Sequence, residues 1–378
     1  MDNRFIYLDY NATTPTDPRV AEAMRPYLTG CFGNPSSDHQ AGREARRAVD
    51  QARARVASSI GAQSDEIIFT SGGTESNNLA FHGVAAARGG GHVITSAIEH
   101  PAVLEVVLAM ESAGDIKMTI VGVDSRGRID PADIQDALRL DTVLVSLMLA
   151  NNEVGTLQPV AEVASICRER GIPVHTDAAQ AVGKVPVDVD ELGVDLLSIA
   201  GHKLYAPKGV GALYVRRGTE IESFTRGAGH ERGLRPGTEN VLEIVGLGMA
   251  CELVEKELHD EIPRLELMRD RLRDLLVARI PGLVQHGHPK YRLPNTLSVA
   301  FPGVEAAGVL SRLENVVAAS AGAACHEGGA ILSHVLWAMG IECEVARSTL
   351  RLSVGRFTSE EDLEIGARHI ADVVEAAD

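Results

Sequence analysis

Between residues 66 and 215 the chain alternates short apolar runs with stretches of helical length, and few architectures accommodate that order. The apolar runs lie at 66–69, 92–95, 117–121, 143–149, 173–177, 196–200 and 211–215, with helical stretches at 74–87, 103–112, 131–138 and 160–170 between them. Alternation of this kind predicts an α/β domain built on a mostly parallel, seven-stranded sheet with covering helices. Open sheets of this class bind ligands at the carboxyl ends of their strands, so the polar residues just after each run are the ones to read for chemistry. After about residue 241 the texture changes. A long charged helical stretch, 241–280, leads into a smaller α+β pattern that ends in a helix near 360–376. The expected division is a large domain over 14–255, and a small domain made of 1–13 with 256–378.

A chain of 378 residues is long enough for a large domain and a smaller one. The net charge of −16 disfavours a nucleic-acid partner, which would call for clustered Lys and Arg. There is no apolar run of about 18 residues, which predicts no membrane span, and the opening MDNRFIYLDY has no secretory pattern. The five cysteines are odd in number and lack CxxC spacing. That argues against a disulfide framework or a structural zinc site and points to a reducing cytoplasm, with no metal expected. Four of them, Cys31, Cys167, Cys251 and Cys343, fall in stretches read as helical or apolar and inert.

The segment Ser198-Ile-Ala-Gly-His202-Lys203 carries a core strand into a glycine, a histidine and a lysine. Desolvation at a strand end lowers a lysine's pKa, which a Schiff-base lysine needs; the plain alternative is an exposed loop lysine. Asp177 ends the strand before it and either pairs with a protonated pyridine nitrogen or caps the next helix. Gln180 follows within reach of a ring oxygen. The turn Gly72-Gly73-Thr74 between strand and helix offers free N–H groups and a hydroxyl to an anion, without the Walker A pattern that a nucleotide site would show. His100 stands after a third strand, as a ring-stacking imidazole or a structural one, and Asn152 after a fourth. In the C-terminal part, Arg351 alternates with apolar neighbours on a strand and suits either an α-carboxylate or a structural salt bridge. Cys325 lies among small residues in what reads as a mobile loop, where His326 would favour its thiolate.

Taken together these motifs resemble the cysteine desulfurases of the NifS and IscS type, on the class V aminotransferase fold, and the related selenocysteine lyases. The match runs from Leu8-Asp-Tyr-Asn-Ala-Thr-Thr-Pro15 through Gly72-Gly-Thr74, Glu99-His100, Ala150-Asn-Asn-Glu153, His175-Thr-Asp-Ala-Ala-Gln180 and Gly201-His-Lys203. It continues through Arg235-Pro-Gly-Thr-Glu-Asn240 and Arg292-Leu-Pro-Asn-Thr296 to the Cys325 segment and Arg351–Arg356. The resemblance implies a homodimeric pyridoxal 5'-phosphate enzyme of fold type I. Lys203 would carry the cofactor and move the Cα proton, Asp177 would pair with the pyridine nitrogen, Gln180 with the ring oxygen, and His100 would stack on the ring. Gly73, Thr74 and His202 would hold the phosphate, joined by Thr238 of a second subunit. Asn11, Asn152 and Arg351 would bind the substrate, and Cys325 would take its sulfur as a persulfide for an acceptor protein.

One departure stands out. Desulfurases of this type often carry a phosphate-binding serine three residues before the lysine, where this chain has Ala200. Selenocysteine lyases have an apolar residue there, and their reactive sequence matches Gly322-Ala-Ala-Cys-His326. The expected reaction is conversion of L-cysteine to L-alanine, with L-selenocysteine cleavage as the alternative and transamination on the same fold as a more distant one.

Overall fold

The computed structural model describes residues 5–326 and 329–377, with backbone alone for 323–326 and 329–331. All seven expected strands form: β1 (Ile67–Thr70), β2 (Gly91–Ser96), β3 (Ile116–Val121), β4 (Thr142–Ser146), β5 (Val174–Asp177), β6 (Leu196–Ala200) and β7 (Gly211–Val215). They make one sheet in the order β1-β7-β6-β5-β4-β2-β3, in which only β7 runs against its neighbours. Strands β1, β5, β6 and β7 are buried along their whole length, as strands covered on both faces must be. The run read as 143–149 leaves the regular ladder after Ser146. Leu147 and Leu149 still donate to the carbonyls of His175 and Asp177, which is why their apolar pattern reads as strand.

Helices α1 (Gln40–Ser58), α2 (Gly73–Arg88), α3 (Pro101–Ala113), α4 (Pro131–Ala137) and α5 (Val160–Arg168) cover the sheet. Leu79, Phe81 and Val84 of α2 pack with Val103 and Val107 of α3 in one apolar layer, while Val49, Val56, Val163 and Cys167 belong to another. The longest element, α6 (Val241–Val277), has 37 residues and joins two cores. Its first half puts Ile244, Leu247 and Val254 into the large core; past Pro263, Leu265, Leu272 and Leu276 enter a second. That second core lies against an antiparallel sheet of β8 (Val284–Gln285), β9 (Thr296–Ala300), β10 (Ser320–Ala321) and β13 (Thr349–Ser353), and against α7 (Glu360–Glu375). Between β10 and β13 the backbone forms a hairpin, β11 (Ala323–His326) with β12 (Gly329–Leu332), where the sequence reads as a loop. Among the described residues no helix is long and apolar enough to cross a membrane.

The N-terminal arm ties the two cores together. Ile6–Tyr7 pairs in parallel with Val317–Ala318, and Ile6 and Leu8 are buried in the second core. The chain then crosses to the large sheet. Tyr10 N–H donates to the Ser353 carbonyl, Thr14 N–H to His202 and Asp17 N–H to Tyr205. Asp17 anchors the crossing: its carboxylate accepts from Arg19 and from Arg356, at 2.7 Å, and the Arg356 guanidinium lies 4.6 Å from the centre of the Tyr205 ring. Arg19 and Arg356 hold the Asp17 carboxyl well below the usual carboxylate range.

Asp17→Asn should therefore destabilise the protein at pH 7 by about 2 kcal/mol, because it removes the nearer of two anions from Arg356 and leaves only Glu257, at 3.4 Å. The folded-state pKa is depressed, so the stabilisation is present above the unfolded value and fades as pH falls. Denaturation midpoints of wild type and variant should begin to draw together as pH falls below about 4 and meet only at strongly acid pH.

Candidate active site

A cavity of about 430 Å³ opens at the carboxyl ends of β5 and β6, beside the start of α2. Ten of the residues expected from the sequence line it: Asn11, Gly73, Thr74, His100, Asn152, Asp177, Gln180, His202, Lys203 and Arg351.

The lysine arrives at the end of β6 on a single 3₁₀ turn, Gly201–Lys203. Its Nζ donates to the carbonyl oxygens of Asn11 and Ala12, each at 2.7 Å, both from the N-terminal arm. Burial lowers its pKa to about 8, Arg351 adds to this, and Asp177 and Asp9 oppose it. An amine with that pKa is partly neutral near physiological pH and can attack a carbonyl. Asp177, at the end of β5, is 6% exposed; its carboxylate accepts from Asn77 Nδ2 at 2.8 Å and from the Ala179 N–H at 2.9 Å. Gln180 donates from Nε2 to the Asn11 carbonyl at 2.8 Å and accepts at Oε1 from Lys184 Nζ at 2.5 Å.

Opposite these groups, Gly72 has a φ of +148°, a conformation that L side chains rarely adopt, and α2 begins at the next residue. A Cβ on Gly211 would stand 2.7 Å from Gly72 Cα, so β7 also needs a glycine for this turn to fit. The N–H groups of Gly73 and Thr74 and the Thr74 hydroxyl have no partner among the described residues, which leaves a helix N-terminus free for an anion. His202 makes a 3.1 Å contact from Nδ1 to Thr13 Oγ1; burial, helped by Lys203, lowers its pKa to about 4 and keeps it neutral.

His100 caps α3. Its Nδ1 accepts the Ala102 N–H at 3.1 Å, which orients the ring, and desolvation lowers its pKa against the pull of Asp177. Behind it, fully buried Glu99 accepts from Ser96 Oγ and from the Met148 N–H; burial raises its pKa to about 8.

Arg351 sits at the centre of β13, paired with Ser298 on one side and Ser320 on the other. One Nη donates to the Asn152 carbonyl at 3.2 Å and the other to Asp9 Oδ1 at 2.8 Å and Ser320 Oγ at 2.9 Å, while Nε has no partner. The Asn152 side chain makes no hydrogen bond among the described residues and is free for a ligand. That of Asn11 is fully engaged: Nδ2 donates to the Asn152 carbonyl and Thr296 Oγ1, and Oδ1 accepts from Asn295. It is the Asn11 carbonyl that holds Lys203 and Gln180.

Two expected residues stand apart. Thr238 is exposed and does not line this cavity. Cys325 has its backbone on β11, but its side chain, like that of His326, lies outside the described residues. Of the other cysteines, Cys167 and Cys251 are buried, and burial pushes both thiols up to about 12. The reading of Cys31 as helical or apolar needs correction, since it follows a short helix and is half-buried; Cys343 is helical as read, at the first residue of the helix Cys343–Arg347, and is exposed. Sequence reasoning passed over Asp9, Asn77 and Lys184, since none follows one of the seven runs between residues 66 and 215 directly. Asp9 stands in the quoted Leu8–Pro15 motif, and Asn77 three residues after Thr74, so proximity to recognised residues was the available signal. Among the described residues no group of His, Cys, Asp or Glu is placed to hold a metal ion.

The donor set fits pyridoxal 5'-phosphate: an amine titrating near 8 for the aldehyde, a buried carboxylate for the ring nitrogen, and an unpartnered helix N-terminus for the phosphate. Small residues leave it room; a Cβ on Gly73 would stand 3.3 Å from Ala200 Cβ. The profile of the aminotransferase class-V family matches residues 6–365. A cysteine desulfurase IscS of Dictyoglomus turgidum is 49% identical over 363 residues, 95% of this chain and 92% of that protein. The human cysteine desulfurase is 44% identical over 366 residues, 96% of this chain and 80% of its own. Among solved structures, a NifS-like protein superposes with a TM-score of 0.92 at 37% identity, covering 99% of this chain and all of that one. The chain belongs to the aminotransferase class-V family and, within it, to the cysteine desulfurases, which depend on pyridoxal 5'-phosphate.

In protein stripped of cofactor, amine acylation at Lys203 should rise to half its maximal rate near pH 8, about two units below ordinary lysines. Peptide mass spectrometry after brief acetic anhydride labelling measures this; a midpoint above pH 10 would contradict the desolvated setting.

Proposed function

We propose that the enzyme converts L-cysteine to L-alanine and keeps the sulfur as a persulfide on Cys325. The observation that carries this reading is convergence. The Lys203 amine, the Asp177 carboxylate and the Arg351 guanidinium come from distant parts of the chain and open on one cavity. When bound, pyridoxal phosphate supplies a sink for the electron pair left at the substrate Cα. Lys203 holds it covalently and afterwards moves the Cα proton at Nζ. Asp177 pairs with the ring nitrogen, Gln180 donates to the ring oxygen and His100 stacks on the ring. Gly73, Thr74 and His202 hold the phosphate, completed by Thr238 of a second copy of the chain.

Arg351, anchored by Asp9 and Ser320, keeps an unpartnered Nε and with the free Asn152 amide receives the substrate carboxylate. Asn11 acts through its backbone. The Cys325 thiolate attacks the substrate sulfur: an S–S bond forms as the Cβ–S bond breaks, the bonding pair stays with carbon, and a proton completes the methyl group of alanine. A solved relative, SspA, is described in complex with cysteine; its chain is 35% identical with a TM-score of 0.81, covering 94% of this chain and all of its own. The names of the relatives favour sulfur over selenium despite Ala200.

The working unit is a homodimer, supported by the exposed position of Thr238 outside its own cavity and by Phe32 and Leu28, 81% and 64% exposed. The two apolar cores support a division into 14–255 and 1–13 with 256–378. The four cysteines whose side chains are described are all free, which suits a reducing cytoplasm, and the persulfide passes to an acceptor protein.

Cys325→Ala should abolish alanine formation from cysteine, and wild type treated with cysteine should carry a persulfide of about +32 Da on the peptide holding residue 325. Alanine from selenocysteine is measured in parallel; brisk selenocysteine turnover with none from cysteine would overturn the choice of sulfur. Arg351→Ala should raise KM by about 10- to 100-fold with the cofactor still bound. An unchanged KM would remove Arg351 from the site.

A further inference from the structure

Lys184 is a buried amine that none of the chemistry above uses. It is 5% exposed, and among the described residues it makes no ion pair and one side-chain hydrogen bond, the 2.5 Å donation to Gln180 Oε1. Burying an ammonium group without an anion costs several kcal/mol, and an apolar side chain of equal length would avoid that cost. Fold stability is therefore a poor reason for its presence. It lies four residues after Gln180 on a tight turn, with Lys184 N–H donating to the Ala181 carbonyl and Val185 N–H to the same oxygen.

A glutamine amide has a donor end and an acceptor end of nearly the same shape, so its partners decide which end faces a ligand. At Gln180 both ends are constrained. Lys184, which has only donors to offer when protonated, takes Oε1; the Asn11 carbonyl, which can only accept, takes one hydrogen of Nε2. The second hydrogen of Nε2 is left over. We propose that Lys184 is a positioning residue that locks the Gln180 amide with its donor toward the cavity, so that it meets the cofactor's ring oxygen as a hydrogen-bond donor. The inference rests on the reading of Gln180 as the ring-oxygen contact. Burial, with Lys203 and Arg351 nearby, lowers the Lys184 pKa well below its usual value; the amine can donate to Oε1 in both states, and the protonated form, which has no lone pair to accept from Nε2, enforces the orientation. Without Lys184 only the Asn11 carbonyl opposes an amide flip, and a flipped amide would present Oε1, an acceptor, to an electron-rich oxygen.

The test uses cofactor-loaded enzyme and two readouts besides turnover: the absorbance band of the lysine-bound cofactor and its rate of release on dilution. Lys184→Met, Gln180→Leu and the double variant are compared with wild type. Lys184→Ala is carried alongside, so that a Met variant that fails to fold does not end the test. Gln180→Leu should move the band and speed release by about 3- to 10-fold. Lys184→Met should do the same, and the double variant should add nothing to either. If Gln180→Leu changes both readouts while Lys184 variants change neither, or if the two effects add, the positioning role is overturned. If Gln180→Leu itself changes nothing, the ring-oxygen contact fails first and the inference falls with it, a result distinct from the other two.

Discussion

The site depends on two backbone carbonyls. Asn11 and Ala12 both accept from Lys203 Nζ, and Asn11 also accepts from Gln180, so the arm that closes one wall of the cavity also aims its central amine. Carbonyls suit this task because they offer hydrogen bonds without a full negative charge. A carboxylate in the same place would favour the ammonium form and raise the lysine's pKa; here desolvation prevails and brings it to about 8. The arm is held at both ends, by its parallel pairing with Val317–Ala318 and by Asp17 between Arg19 and Arg356. The side chain of Asn11 is spent on Asn152, Thr296 and Asn295, which fixes the peptide whose carbonyl does the aiming.

Around that centre the charged groups arrive already engaged. Asp177 is held by Asn77 and the Ala179 N–H, Arg351 by Asp9 and Ser320, and Gln180 by Lys184. Groups fixed in this way reorganise little when a ligand binds, which is how a preorganised site gains over water. The groups without partners among the described residues are as telling: the N–H groups at the start of α2 and the Asn152 amide have capacity for a bound molecule, and Arg351 Nε is buried with no partner. Arg351 reaches the cavity from β13, where its neighbours Leu350 and Leu352 are buried in the second core. The position of its guanidinium is thereby tied to the pairing of β13 with β9 and β10.

Much of this was legible in the chain itself. Seven apolar runs became seven strands; β1, β5, β6 and β7 are buried along their whole length, and such strands must be apolar throughout, while edge strand β3 is buried only at its two ends. Lys203, Asp177, His100, Gly73 and Thr74 were found because an open α/β sheet places ligands at its carboxyl edge, so position after a run identifies them. Local pattern also has limits, as in Leu147 to Leu149, which bond to β5 outside the regular ladder.

What the sequence by itself determined, then, is the sheet and the residues at its carboxyl edge, because hydrophobic periodicity and strand-end chemistry are local properties. What only the tertiary structure decided is which groups act on one another across long stretches of chain. Asp9 reaches Arg351 over 342 residues, Asn77 reaches Asp177 over 100, and the Asn11 carbonyl reaches Lys203 over 192. It also decided that Asn11 contributes its backbone and that Lys184, unremarkable in its own segment, is buried against Gln180. Hydrogen bonds and desolvation depend on distance in space, and distance in space between remote segments is set only when both cores have packed.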